Sequence, residues 1–210
     1  MKEIWINPVT AAMYEPKKLN EFLQKHGYRQ YISTRDWAET VRRKYKEEVN
    51  NTSDTVIDIR CPKINELLEV YGMRHKEGIR VPDIHPILIH YAKEASLNAY
   101  MEQKEILVTT PCQALADMGN NMQLSGVRFV SWNCFLMELG EEPTRRPLKE
   151  SPIPPGFFDS LNVKTVSISG EEEISEYFTH FIPGEARLTE LLYCKNGCHN
   201  GDGIRPLYER

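Results

Sequence analysis

Short apolar runs rich in β-branched residues alternate with longer segments of helical periodicity along almost the whole chain, and this alternation restricts the fold more than any other feature. Residues 4–7, 54–59, 105–110, 127–132, 163–168 and 188–193 read as strands. Helical patterns lie between them. One starts at Pro16, where a missing N–H costs nothing, and stops at Gly27. A second follows Asp36, an N-cap residue, with Trp37, Val41 and Tyr45 along one face. A third runs from Pro62 through Ile64, Leu67, Leu68 and Tyr71 to Gly72, and a fourth covers 84–101. Glu171, Glu172 and Glu173 open a late helix, where carboxylates meet the positive end of its dipole. Strands separated by helices pair in parallel, so the expected fold is α/β: two small lobes of mostly parallel sheet flanked by helices. Residues 140–155 hold five prolines and read as an extended connector, the lobe boundary within one domain spanning 1–210.

The cysteines fall at informative places in this pattern. Cys61 follows the strand at 54–59, Cys112 follows the strand at 105–110, and Cys194 and Cys198 follow the strand at 188–193. In an open α/β sheet the carboxyl ends of strands face the ligand-binding crevice. Three strand ends then deliver four thiolates to one place. The closing loop contains Asn196, Gly197, Asn200, Gly201 and Gly203, residue types that fold tightly and turn backbone N–H groups toward a bound group. Four dispersed cysteines suit a [4Fe-4S] cluster between the lobes better than a zinc ribbon, which uses two close pairs. A pair of structural thiols beside a turn is the alternative for Cys194 and Cys198 taken alone.

These motifs, Cys61-Pro62, Pro111-Cys112 and Cys194-x-x-x-Cys198 with Asn200-Gly201, resemble in order and type the catalytic domain of the iron-only ([FeFe]) hydrogenases and its non-catalytic relatives. Asn7-Pro8, Gly27-Tyr28, Thr34-Arg35-Asp36 and the stretch from Pro82 to Pro86 add weaker matches. The resemblance implies Cys61, Cys112, Cys194 and Cys198 as the ligands of a [4Fe-4S] cluster. It also implies what is missing. Arg60 stands where active members place a proton-relaying cysteine. Thr110 and Leu115 stand where a methionine and a lysine seat the diiron subsite, Val41-Arg42-Arg43-Lys44 replaces an acidic pair, and the prolines from Pro143 to Pro155 replace a glycine-rich segment. The implied protein is a cluster-binding redox module for electron transfer or redox sensing with a partner protein, without hydrogen turnover. The alternatives are a cluster-free partner-binding protein that keeps the fold, and an enzyme using a cluster iron.

Individual residues allow competing readings. A guanidinium at Arg60 raises the potential of an adjacent cluster, or points outward from a strand end; Asp58 is within reach of an ion pair with it. His199 donates to a cluster sulfur, or caps the loop in solvent. Cys134, flanked by Trp132, Asn133 and Phe135, reads as a buried structural thiol.

A net charge of −4 leaves no electrostatic footprint for nucleic acid. Arg42, Arg43 and Lys44 are interleaved with Glu47 and Glu48 and read as a solvated helix face. No apolar stretch approaches the roughly 20 residues of a membrane span, no signal peptide is evident, and the odd count of five cysteines suits a reducing cytoplasm. Phosphate-loop, dinucleotide-binding, serine-hydrolase and zincin signatures are missing from the sequence.

Overall fold

The computed structural model describes residues 1–143 and 148–205, so residues 144–147 of the expected connector lie outside the described residues. In chain order the elements are β1 (Lys2–Trp5), α1 (Pro8–Ala12), α2 (Pro16–Lys25), β2 (Tyr28–Gln30), α3 (Trp37–Asn51), β3 (Thr55–Ile57), α4 (Pro62–Val70), β4 (Ile79–Arg80), α5 (Ile87–Glu102), β5 (Ile106–Thr110), α6 (Gln113–Asn121), β6 (Val127–Ser131), α7 (Trp132–Glu138), β7 (Thr165–Ser169), α8 (Glu171–Thr179) and β8 (Leu188–Leu192). They form two compact units. The first comprises Met1–Arg35, Leu88–Ile153 and the chain from Cys198 onward; the second comprises Asp36–Ile87 and Pro154–Gly197. The chain thus passes between units at four points, one of them within residues 140–155.

Each unit is built on a four-stranded sheet, in the order β2-β1-β5-β6 in the first and β4-β3-β8-β7 in the second. Every pairing is parallel, as helices between strands require. Successive side chains in the central strands serve opposite faces. In the first unit Leu107 and Val130 join Ile4, Trp132 and Phe135, while Val108 and Phe129 join Ile89, Leu115 and Ala116. In the second, Val56 and Leu188 pack with Val41, Tyr45 and Phe158, while Ile57 and Leu191 pack with Ile64, Leu68 and Phe178.

Several boundaries differ from the sequence expectations, each for a local reason. The first strand stops at Trp5, because Asn7 turns to cap α1, accepting from the Thr10 N–H at 2.9 Å. That helix and the two-to-three-residue edge strands β2 and β4 were not anticipated from the pattern, being too short to show a period. The third strand ends at Ile57, since Asp58 departs to bind Arg60. Helix α5 begins at Ile87 rather than 84, because a residue preceding Pro86 is driven out of helical geometry. Trp132 starts α7 instead of ending β6. Tyr71, expected on the apolar face of α4, is its C-cap and 40% exposed. Asp36 caps α3 as expected, its side chain accepting from Glu39 N.

Helix α6 approaches β6 so closely that a Cβ on Gly119 would lie 2.4 Å from the Phe129 ring. Gly119→Ala is therefore expected to destabilise the chain by about 1–3 kcal/mol through overpacking. A lowered denaturant midpoint is the readout; an unchanged one would mean that α6 has room the structure does not show.

Candidate metal centre

The second unit contributes Cys61 and Cys194. Their strands, β3 and β8, are direct neighbours in the sheet, with Val56 opposite Leu188 and Ile57 opposite Thr189. The carboxyl ends of these two strands therefore lie side by side at the centre of the sheet. Cys61 is the N-cap of α4. Burial pushes its thiol up, opposed by hydrogen bonds from the Tyr193, Lys63 and Ile64 backbone. Tyr193 directly precedes Cys194, so the two cysteine-bearing segments touch. The loop after β8 is anchored to the start of α8: the Tyr193 hydroxyl donates to Glu171, Lys195 pairs with Glu173, and Asn196 N donates to Ser169 Oγ at 3.0 Å. Asn196 and Gly197 then take φ values of 61° and 113°, closing a turn in which Gly197 N donates to the Cys194 carbonyl.

The first unit contributes Cys112 and Cys198. Cys112 is the N-cap of α6, two residues beyond β5, and Thr110 Oγ1 donates to its carbonyl at 2.8 Å. The loop after Cys198 is pressed against this strand end. Gly203 N donates to the Pro111 carbonyl at 3.2 Å, and Asp202 Oδ1 accepts from Gln113 N at 2.9 Å, capping α6 from a distant part of the chain. A Cβ on Gly201 would fall 2.3 Å from the Pro111 oxygen, and one on Gly203 2.7 Å from Ser131 Cβ and 3.1 Å from Cys112 N. Only glycine permits this approach. Asn200 and His199 ride on the same short turn, with Asn200 Nδ2 3.3 Å from His199 Nε2. His199 is 5% exposed, so the reading of a solvent-facing loop cap is replaced by a buried ring.

All five cysteines lie outside disulfides and are of intermediate exposure. The structure thus places the four candidate ligands as two pairs, one in each unit. Among the described residues no group of three or more His, Cys, Asp or Glu side chains stands ready to hold a metal ion. Cys134 lies on α7, partly rather than fully buried, with its sulfur 3.8 Å from Gln113 Oε1.

Arg60 does not point outward. It is buried, held by Asp58 through Nε at 2.9 Å and Nη2 at 2.7 Å, and its Nη2 also reaches Glu190 at 2.9 Å. Its guanidinium lies 3.9 Å from the centre of the Phe157 ring and 4.5 Å from that of Phe158. Burial works against its charge, but Asp58 and Glu190 more than compensate and hold it cationic. Two carboxylates therefore share one guanidinium immediately before Cys61. Glu190 escaped the sequence reading, although a charge inside the apolar run Leu188–Leu192 is the signal that announces a buried partner.

Removing Arg60 would leave two carboxylates buried without a cation. Arg60→Met is expected to cost about 3–5 kcal/mol of stability, and Arg60→Lys to recover little, because an ammonium cannot reproduce the two-pronged contact with Asp58. Urea unfolding of both variants measures this; a loss below about 1 kcal/mol would show the triad to be dispensable.

Among the described residues no helix is long and apolar enough to cross a membrane. Comparison of the chain with models of protein families, with characterised proteins and with solved structures gave no match.

Proposed function

We propose that this chain is a [4Fe-4S] cluster-binding redox module, with Cys61, Cys112, Cys194 and Cys198 as the ligands, working with a partner protein in electron transfer or redox sensing. The observation that carries this reading is the position of the cysteines. Each unit brings two cysteines near the carboxyl end of its parallel sheet, on elements whose side chains and glycines hold them there. Four thiolates are what such a cluster takes, and the backbone of Tyr193, Lys63 and Ile64 counters the effect of burial on the Cys61 thiol. Cys194 and Cys198 are four residues apart, so the chain itself keeps their Cα atoms within about 14 Å, although they belong to different units.

When bound, the cluster exchanges single electrons. The protein's own part is to position and shield. Gly201 and Gly203 let the closing loop lie against Pro111-Cys112, the Asp58–Arg60–Glu190 triad holds the turn before Cys61, and Asn200 and His199 line the loop beside Cys198.

Hydrogen turnover is no part of this proposal. Three of the residues that depart from the hydrogenase pattern have structural occupations here: Arg60 in the triad, Thr110 on the Cys112 carbonyl, and Leu115 in the core with Ile89 and Phe129. Five cysteines outside disulfides suit a reducing compartment, and the cytoplasm is the proposed location.

Protein purified and reconstituted without oxygen should be brown and carry about four irons and four sulfides, with an EPR signal on one-electron reduction and hydrogen uptake at background. Serine at any of the four ligand positions should lower the iron content and the stability, whereas Cys134→Ser should keep both. A colourless protein after reconstitution, or iron lost with Cys134 and retained without Cys61, would sink the assignment.

A further inference from the structure

His199 carries an unsatisfied donor. Its ring is buried, and among the described residues Nδ1 has no hydrogen-bond partner. The other ring nitrogen, Nε2, faces the amide nitrogen of Asn200 at 3.3 Å. An amide nitrogen only donates, so Nε2 accepts and the ring proton resides on Nδ1. A buried N–H without an acceptor costs about 1–3 kcal/mol, and native chains seldom bear that cost at a position with no role. The ring has little freedom to relieve it. Cys198, His199 and Asn200 form one tight turn, and the residues that follow are locked to Pro111-Cys112 by the Gly203 and Asp202 hydrogen bonds and by the two close glycines.

We infer that His199 donates Nδ1–H to a sulfur of the bound cluster, and that Asn200 is a positioning residue that fixes the tautomer required for it. This rests on the cluster reading above and adds a direction to it. A hydrogen bond to a cluster sulfur favours the more negative, reduced state and raises the reduction potential. The opposite tautomer would present a lone pair to the sulfur and lower it. Anionic sulfur also explains why the acceptor is not supplied by the chain: a carboxylate or carbonyl there would already be paired with Nδ1.

Redox titration of the reconstituted wild type, His199→Leu and His199→Asn tests the inference. In His199→Asn the amide nitrogen occupies roughly the position of Nδ1, so the donor is restored on a smaller side chain. His199→Leu should shift the reduced-to-oxidised ratio at a fixed poise about tenfold toward oxidised, or about 59 mV for one electron, while His199→Asn stays near wild type. Nitrogen-15 NMR of the imidazole in metal-free protein provides a second measurement that needs no variant. It should show Nδ1 protonated in wild type, and a mixture of tautomers in Asn200→Ala. Iron bound by all variants with one common potential, or Nε2 found protonated in the wild type, overturns the inference alone. Wild-type protein that takes up no iron removes the cluster reading and this inference with it.

Discussion

A fully buried glutamate in the middle of a parallel strand is the constraint on which the second unit depends. Glu190 accepts from Arg60 Nη2, the backbone N–H groups of Gly156 and Phe157, and Ser167 Oγ. A buried carboxylate lacking such partners would cost several kcal/mol, so the segments that bring them cannot easily sit elsewhere. Strand β7, the chain entering the unit after Pro154 and the turn after β3 are all held to one strand by one side chain. Arg60 in turn needs Asp58, because a single guanidinium with flat, two-pronged geometry is best matched by a bidentate carboxylate, and Phe157 and Phe158 cover its faces.

The consequence for the candidate centre lies in Cys61. The Asp58 to Arg60 turn is rigid, with Arg60 N also donating to Asp58 Oδ1 and Ile59 N donating to the Tyr45 hydroxyl. Cys61 comes next and caps α4. An arginine at this place is thus compatible with a redox centre without being a free positive charge beside it. The first unit achieves similar rigidity without charge. Asn7, Thr10 and Thr109 form a buried hydrogen-bonded set at the carboxyl ends of β1 and β5, and close glycine contacts hold the final loop on Pro111-Cys112. Neutral groups suffice there because the backbone at the strand ends offers enough donors and acceptors to satisfy them.

Much of the architecture was legible from local signals. The parallel α/β class, most strands, the cap at Asp36, the helix start at Pro62 and the places of Cys61, Cys112 and Cys194 just beyond strands follow from periodicity and the preferences of single residues. The short elements were not. Edge strands of two or three residues, such as Ile79–Arg80, exist because a neighbouring strand offers them hydrogen bonds, not because their own sequence demands extension. Helix α7 was hidden behind an apolar, aromatic run that reads equally as strand. Cys134 looked buried for the same reason, and it is the helical turn that brings its thiol toward Gln113.

The amino-acid sequence by itself determined the alternation of strand and helix, the ends of most helices and the number and order of thiols, since these depend on interactions spanning a few residues. Tertiary structure decided the strand orders, the division of the four cysteines into two pairs, the burial of Arg60 and the orphaned Nδ1 of His199. Each of these depends on partners far apart in the chain: Arg60 and Glu190 are separated by 130 residues, Gln113 and Asp202 by 89. Local propensity carries no record of such distances. They are set only when burial of both apolar faces of each sheet selects which strands lie side by side, and polar groups caught inside must then find one another.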